Sequence, residues 1–212
     1  MNEKNLEVCI LAAGYGTRMR SSIPKVMQSL AGRPLLGHLF NSVEKLNPEK
    51  IHVVVGPEID SVRQSFPNQN INWVTQAERL GTGHAVMQAL PHLGKDVRLL
   101  ILLGDAPLIS TNTMQDLISS DAPLTVLTSN VDDPQGYGRI IRDHGGSISA
   151  IVEERDATQQ QILIKEINTG VMAINSRSLS EWLPKLSRTN AQGELLLTDI
   201  VAIANEQAVE VN

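Results

Sequence analysis

The sequence predicts an α/β fold in which a mostly parallel mixed sheet is covered by helices, with a less regular β-containing C-terminal half. Three observations lead there. Short runs rich in Val, Ile and Leu alternate with helix-like segments through the first part of the chain. Those runs are continuously apolar, as strands buried on both faces are. A glycine-bearing loop directly follows the first run. Alternation of this kind gives layered α/β architecture with right-handed crossovers.

Taken in order, residues 8–13, 51–56, 71–75, 99–104 and 124–129 read as strands, and residues 34–46, 58–66, 82–90 and 111–119 as helices. Pro34 suits a first helical turn, where its missing N–H is no loss, and Thr111 and Asn112 offer caps. Beyond Asp132 the pattern loosens. Residues 137–142 and 147–152 flank His144-Gly145-Gly146 and read as an antiparallel hairpin. Residues 168–175 read as a strand, and 176–186 and 198–207 as helices. No repeat, low-complexity tract or linker interrupts the chain, so a single domain over residues 1–212 is expected.

Composition narrows the function. The 212 residues carry a net charge of −5 and are 42% hydrophobic but only 3% aromatic, so an aliphatic core is expected. A pI near 5.5 argues against general nucleic-acid binding, which needs a broad basic face. Cys9 stands alone in an apolar run and reads as a small buried hydrophobe. The first residues lack a signal-peptide pattern, and no apolar run approaches the roughly 18 residues of a membrane span. A soluble cytoplasmic protein is the expectation.

Against that acidic background, residues 8–43 contain no Asp or Glu, while Arg18, Arg20, Lys25 and Arg33 gather around the glycine loop. Clearing acids and adding cations locally prepares an anion site. Glycines there let backbone N–H groups approach phosphate oxygens. Gly14-x-Gly16 alone is equally a tight turn, and it fits neither the P-loop nor the G-x-G-x-x-G dinucleotide fingerprint. Arg18 and Lys25 shift the reading towards phosphate, as a bidentate fork and a point charge respectively.

Asp105 ends the run Leu99–Leu103-Gly104, where open α/β sheets bind ligands. It suits Mg²⁺, which takes one or two carboxylates plus substrate phosphates, but it is also placed to cap the following segment. In Gln76-Ala77-Glu78-Arg79-Leu80-Gly81-Thr82-Gly83-His84-Ala85, two glycines allow close backbone approach, and the Gln76 amide offers donor and acceptor to a base edge. His84, alone at a helix start, reads as structural. The other histidines, at 38, 52, 92 and 144, show no metal-ligand spacing, which argues against zinc. Gly136-Tyr137-Gly138, Glu153 and Glu166-Ile167-Asn168-Thr169-Gly170 suit a hydroxyl-rich ligand, and equally suit hairpin turns.

These motifs, in this order, resemble the uridyltransferase (pyrophosphorylase) domain of bacterial N-acetylglucosamine-1-phosphate uridyltransferases, usually the N-terminal half of a bifunctional protein. The likeness runs from about Val8 to Asn205. Leu11-Ala12-Ala13-Gly14-x-Gly16-Thr17-Arg18-Met19 with Pro24-Lys25 marks the wider sugar-nucleotidyltransferase superfamily, while the 76–85, 136–140, 166–170 and 190–194 segments are narrower. The resemblance implies a Rossmann-like nucleotidyltransferase fold. It implies the reaction UTP + N-acetylglucosamine 1-phosphate → UDP-N-acetylglucosamine + pyrophosphate, with Mg²⁺, in the supply of cell-wall precursors. By position, Leu11, Ala12, Ala13, Gly14, Gln76, Gly81 and Thr82 would hold the uridine, and Arg18 and Lys25 the triphosphate. Asp105, after Leu103 and Gly104, would ligate the metal. Gly138, Glu153 and Asn168 would hold the amino sugar, dividing the chain into a nucleotide-binding half (about 1–130) and a sugar-binding half (about 131–212).

Three departures stand out. Tyr15 replaces a common lysine, Arg79 a common glutamine and Leu103 a common tyrosine. The family also places an asparagine metal ligand in a Val-Asn-Asn-type segment, and a β-helical acetyltransferase domain, beyond position 212. A C-terminally shortened chain is therefore expected, and full-length members trimerise through that domain. Two alternatives stay open: a nucleotide-binding module with an incomplete metal site, and a nucleotidyltransferase of different base or sugar preference.

Overall fold

The computed structural model describes residues 5–14, 21, 23–57, 59–67 and 70–212. Strand β1 (Leu6–Ala12) sends alternate side chains to opposite faces, as the two-residue period of a strand requires. Val8, Ile10 and Ala12 join one apolar cluster, and Cys9 and Leu11 the other. A two-residue hairpin follows, β2 (Ser29–Leu30) and β3 (Arg33–Pro34), turned by Ala31 and Gly32 at φ of 49° and 81°. Both turn residues in positive φ are what a tight hairpin demands. Then come α1 (Leu35–Glu44), β4 (Lys50–Val55), α2 (Ile59–Gln64), β5 (Ile71–Thr75), α3 (Thr82–Ala89), β6 (Arg98–Leu103), α4 (Thr111–Ile118) and β7 (Leu124–Asn130). The C-terminal half adds β8 (Arg139–Arg142), β9 (Ile148–Val152), α5 (Gln159–Ile162), β10 (Glu166–Asn175), α6 (Ser176–Trp182) and α7 (Ile200–Glu206).

The helices divide by face. Buried residues of α1, α2 and α4 pack with Val53, Leu100 and Leu102 on one side of the sheet, and those of α3, α6 and α7 with Val54, Leu99 and Ile101 on the other. Each fully buried Leu, Ile or Val contributes about 1.5–3 kcal/mol on transfer from water, so the two clusters hold the layers together. Cys9 is fully buried among them, and burial pushes its thiol up to about 12.

Some local expectations need correction. Pro34 ends β3 and precedes α1 rather than starting it. Ser110 caps α4, its hydroxyl accepting from Thr113 N–H at 3.0 Å, in place of Thr111 or Asn112. Helix α6 stops at Trp182 and continues as a 3-10 turn, Leu183–Lys185, because Pro184 cannot supply the next helical N–H. The β2–β3 hairpin and α5, with its Thr158/Gln161 capping box, add to the expected elements.

One sheet takes in eight strands, ordered β5-β4-β1-β6-β10-β8-β9 with β7 along β10. The β1–β4, β1–β6 and β4–β5 pairs are parallel, and β10 runs antiparallel to β6, β7 and β8. From β1 the chain builds outward through β4 to β5, then returns to lay β6 on the opposite side of β1. The connections therefore diverge between β1 and β6, a topological switch point. Open α/β sheets bind ligands outside the carboxyl ends of their strands at such a point.

Candidate active site at the switch point

Leu11 and Leu103 face each other across the β1–β6 pair, and Gly104 N–H donates to Leu11 C=O at 2.9 Å. The Ala12-Ala13-Gly14 stretch and the Gly104-Asp105 stretch thus leave the sheet side by side. Gly104 is required by packing: a Cβ there would lie 2.9 Å from Val26 Cγ1 and 3.1 Å from Ala12 Cβ. Buried Val26 in turn anchors the 3-10 turn Lys25–Met27. That turn carries Lys25 to Asp105, where Nζ and Oδ2 form an ion pair. The two side chains remain 40% and 29% exposed, so both are open to a ligand. Among the described residues, a Cβ on Gly14 would meet nothing within 4 Å. Arg18 lies outside the described residues, as do Tyr15 and Gly16.

Gln76 follows β5 at the same edge of the sheet and is buried. Its backbone N–H donates to Val55 C=O at 2.8 Å. Its side-chain Nε2 lies 3.1 Å from Gly81 C=O and 3.1 Å from His84 Nδ1. Arg79, one of the departures from the family pattern, donates from Nε to Ala13 C=O and so ties this segment to the glycine loop.

Gly81 and Gly83 allow the close backbone approach expected of them, and what approaches is the chain itself. Gly81 sits at φ +111°, and a Cβ there would come 2.4 Å from Leu195 C=O; on Gly83 a Cβ would come 2.4 Å from Leu186 Cδ1. Hydrogen bonds seal this contact. Gly83 N–H donates to Leu195 C=O at 2.8 Å, Leu195 N–H to Leu80 C=O at 2.7 Å, and Leu197 N–H to Thr82 Oγ1 at 3.0 Å. The glycines let the C-terminal half close onto the 80–83 segment.

Gly138, Glu153 and Asn168 also converge. Gly138 C=O accepts from Asn168 N–H at 2.9 Å, and a Cβ on Gly138 would lie 3.4 Å from Glu153 Oε1. Asn168 Oδ1 accepts from Gly170 N–H at 3.0 Å, beside an irregularity in the β10–β7 register. Gly170, at φ +79°, packs against Leu103: a Cβ there would meet Leu103 Cδ1 at 2.6 Å. The β10 side of the site is thereby joined to the end of β6. Burial pushes the Glu153 carboxyl above the usual range, with Asp199, Asp156 and Glu194 adding to it and a 3.4 Å hydrogen bond from Thr198 opposing it.

Two further side chains hold the loop that bears Gly138: Arg139, within the 136–140 segment, and Glu154, to which the sequence assigns no role. Arg139 is buried, donates to Tyr137 C=O and lies 3.6 Å from Glu154, whose other oxygen accepts from Gly136 N–H. This pair fastens the Gly136-Tyr137-Gly138 loop. Nothing in the spacing of Arg139 and Glu154 marks them, because only the β8–β9 pairing brings them together. His84 reaches Gln76 only through the turn between β5 and α3, which single-residue spacing does not reveal.

Among the described residues no cluster of three or more His, Cys, Asp or Glu could hold a metal, and the site offers the Asp105 carboxylate. That donor set suits a hard cation completed by phosphate oxygens and water. No helix among the described residues is long and apolar enough to cross a membrane. Two surface hollows, one lined by Arg63, Phe66 and Trp73 and the other by Arg142, Ser147 and Asn212, share no residue with this corner.

Comparison with known proteins gives a consistent result. A family described as MobA-like NTP transferase domain matches residues 8–198. The chain is 50% identical over 208 residues to "Bifunctional protein GlmU" of Saccharophagus degradans, covering 97% of this chain and 46% of that protein. It is 53% identical over 206 residues to the protein of the same name from Acinetobacter baumannii, covering 96% and 45%. The chain therefore spans less than half the length of these curated relatives. Among solved structures, a UDP-glucose pyrophosphorylase complexed with UDP-glucose superposes with a TM-score of 0.78 at 19% identity, covering 95% of this chain and 87% of that one. The inositol-1-phosphate CTP transferase from T. maritima also gives 0.78, at 18% identity, covering 100% and 85%. Both share the fold.

Proposed function

The chain belongs to the MobA-like NTP transferase domain family, and on that premise we propose that it transfers the uridylyl group of UTP to N-acetylglucosamine 1-phosphate. The products are UDP-N-acetylglucosamine and pyrophosphate. The observation that carries this reading is the convergence, at the switch point, of the Ala12–Gly14 backbone with the Lys25–Asp105 pair. A sugar phosphate brings its own nucleophile. Its phosphate oxygen attacks the α-phosphorus of UTP, the new P–O bond forms, and the bond to the β-phosphate oxygen breaks to release pyrophosphate. No side-chain nucleophile is needed, so the protein's part is positioning and charge neutralisation.

In this assignment Leu11, Ala12, Ala13 and Gly14 line the nucleoside, with Gln76, Gly81 and Thr82 at the base. Lys25, together with Arg18, neutralises the triphosphate. Asp105 would hold Mg²⁺, whose contribution is to offset charge on the phosphates, and the Lys25 ammonium holds that carboxylate in place beforehand. Gly138, Glu153 and Asn168 face the amino sugar, and the Gly170 N–H on Oδ1 fixes the orientation of the Asn168 amide. A cytoplasmic location fits an enzyme of nucleoside triphosphates.

The test is a pyrophosphate-release assay with four nucleoside triphosphates against several sugar 1-phosphates. Turnover confined to UTP with N-acetylglucosamine 1-phosphate is the expected result. Turnover with a different base or sugar would reassign the specificity, and binding of UTP without release would make the chain a nucleotide-binding module.

A further inference from the structure

Gln76 is buried, and its amide nitrogen lies 3.1 Å from each of two acceptor positions, Gly81 C=O and His84 Nδ1. A carbonyl oxygen only accepts, so the amide nitrogen, not the amide oxygen, must face Gly81. The second N–H of the same nitrogen then points to His84, whose Nδ1 must accept it. That fixes His84 as neutral with its proton on Nε2.

The other ring nitrogen tests the logic. The Gln88 side-chain nitrogen lies 3.1 Å from His84 Nε2, and two donors cannot face each other. Either Gln76 or Gln88 must therefore present oxygen to the ring. Gln76 is buried and held by Gly81, and reversing it would set two oxygens against each other where water cannot compensate. Half-buried Gln88 turns instead and accepts from Nε2–H, giving up only its longer 3.4 Å bond to His84 C=O, whereas Gln76 would lose the 3.1 Å bond to Gly81 in a buried place.

With both N–H groups engaged, Oε1 is the one atom of the Gln76 amide left for a ligand. We propose that His84 is a positioning residue: by holding the second N–H of Gln76, it leaves only an acceptor for the base and so selects a base that donates there. Uracil carries N–H at N3, whereas cytosine has an unprotonated acceptor nitrogen there and donates only from its exocyclic amino group, so the discrimination is read at N3. The inference rests on the assignment of Gln76 to the base made above. It extends it by naming the residue that sets the polarity of that contact.

The experiment compares wild type with His84→Asn, His84→Leu and His84→Ala. Asn places an acceptor oxygen near the position of Nδ1, whereas Leu fills the space without one. The readouts are kcat/KM for UTP and for CTP, and the side-chain NH₂ proton exchange of Gln76 by NMR in the free protein. Wild type is expected to protect both Gln76 side-chain protons. His84→Leu and His84→Ala should expose one of them and lower UTP-over-CTP discrimination about tenfold, within the roughly 5- to 150-fold range of one unpaired buried group. His84→Asn should keep discrimination within about threefold of wild type, the conservative replacement acting as the rescue. Unchanged discrimination in Leu and Ala, or an equal loss in all three, would overturn the proposal. If Leu and Ala fail to fold, Asn against wild type decides: loss of discrimination or of proton protection in a folded His84→Asn contradicts it. The reading of Gln76 fails separately, if wild type itself does not prefer UTP. The NMR protection of the free chain would still report on His84.

Discussion

Two glycines that look alike in sequence do opposite work. No described residue lies within 4 Å of a would-be Cβ on Gly14, so Gly14→Ala should leave the melting temperature within about 2 °C while weakening UTP binding tenfold or more, because the added methyl intrudes where a ligand lies against backbone. Gly81 is at φ +111° with Leu195 C=O 2.4 Å from a would-be Cβ, so Gly81→Ala should cost roughly 3 kcal/mol from backbone strain plus an unyielding contact. Thermal melts and UTP titration of both variants check the pair. The sequence could mark both glycines as special, but not that Leu195, far along the chain, is what Gly81 must admit. Lys25 is a simpler case. It is 40% exposed on a turn anchored by Val26, so Lys25→Ala should fold normally and lose about 10²-fold in kcat, the usual result of removing one charge donor from a transferring phosphate. A near-normal kcat would remove Lys25 from the phosphate site.

At the scale of elements, the parallel strands were legible from their apolar runs, and β4, β5 and β6 fall within a residue of expectation, although β5 lies at the sheet edge with only Val74 buried rather than covered on both faces. The two-residue hairpin β2–β3 left too short a pattern to show, and α5 is a four-residue helix whose signal is one capping box. The amino ends of β1, β4 and β5 are joined by polar groups that an apolar strand pattern hides. His52 Nε2 lies 3.1 Å from Glu7, Asn72 Nδ2 lies 2.9 Å from His52 Nδ1, and Gly94 N–H donates to Glu7 at 3.2 Å. Burial lowers the His52 pKa below its ordinary value, with Lys50 and His92 acting the same way and Glu7 opposing. The unfolded chain therefore binds a proton at a higher pH than the folded one. Stability from this site is complete above about pH 6.5, the unfolded value, and falls as the pH drops towards the folded pKa, with a slope of up to about 1.4 kcal/mol per pH unit. Urea melts between pH 7 and 5 should show that decline, and His52→Gln should flatten it. An equal decline in the variant would place the acid sensitivity elsewhere.

At the scale of the whole molecule, the two halves share one sheet through the β6–β10 pair and are closed by the contacts of residues 80–83 with 195–197. We expect one cooperative unfolding transition. In a Trp73→Phe variant, the fluorescence of buried Trp182 on α6 should coincide with far-UV circular dichroism, whereas two separated midpoints would mean the halves unfold independently. The alternating first half announced its layered fold in the sequence. The joining of β10 to β6 did not show, because antiparallel pairing over such separation leaves no local pattern. The account's central claim is that the β1–β6 switch point, with Lys25 and Asp105, is where a uridylyl group changes hands. The most direct measurement incubates the chain with UTP, N-acetylglucosamine 1-phosphate and Mg²⁺, and follows UDP-N-acetylglucosamine and pyrophosphate together, alongside Lys25→Ala and Asp105→Asn. The account predicts equimolar formation of both products by the wild-type chain and a loss of about 10²-fold in each variant. Equimolar products at an undiminished rate from both variants would contradict it.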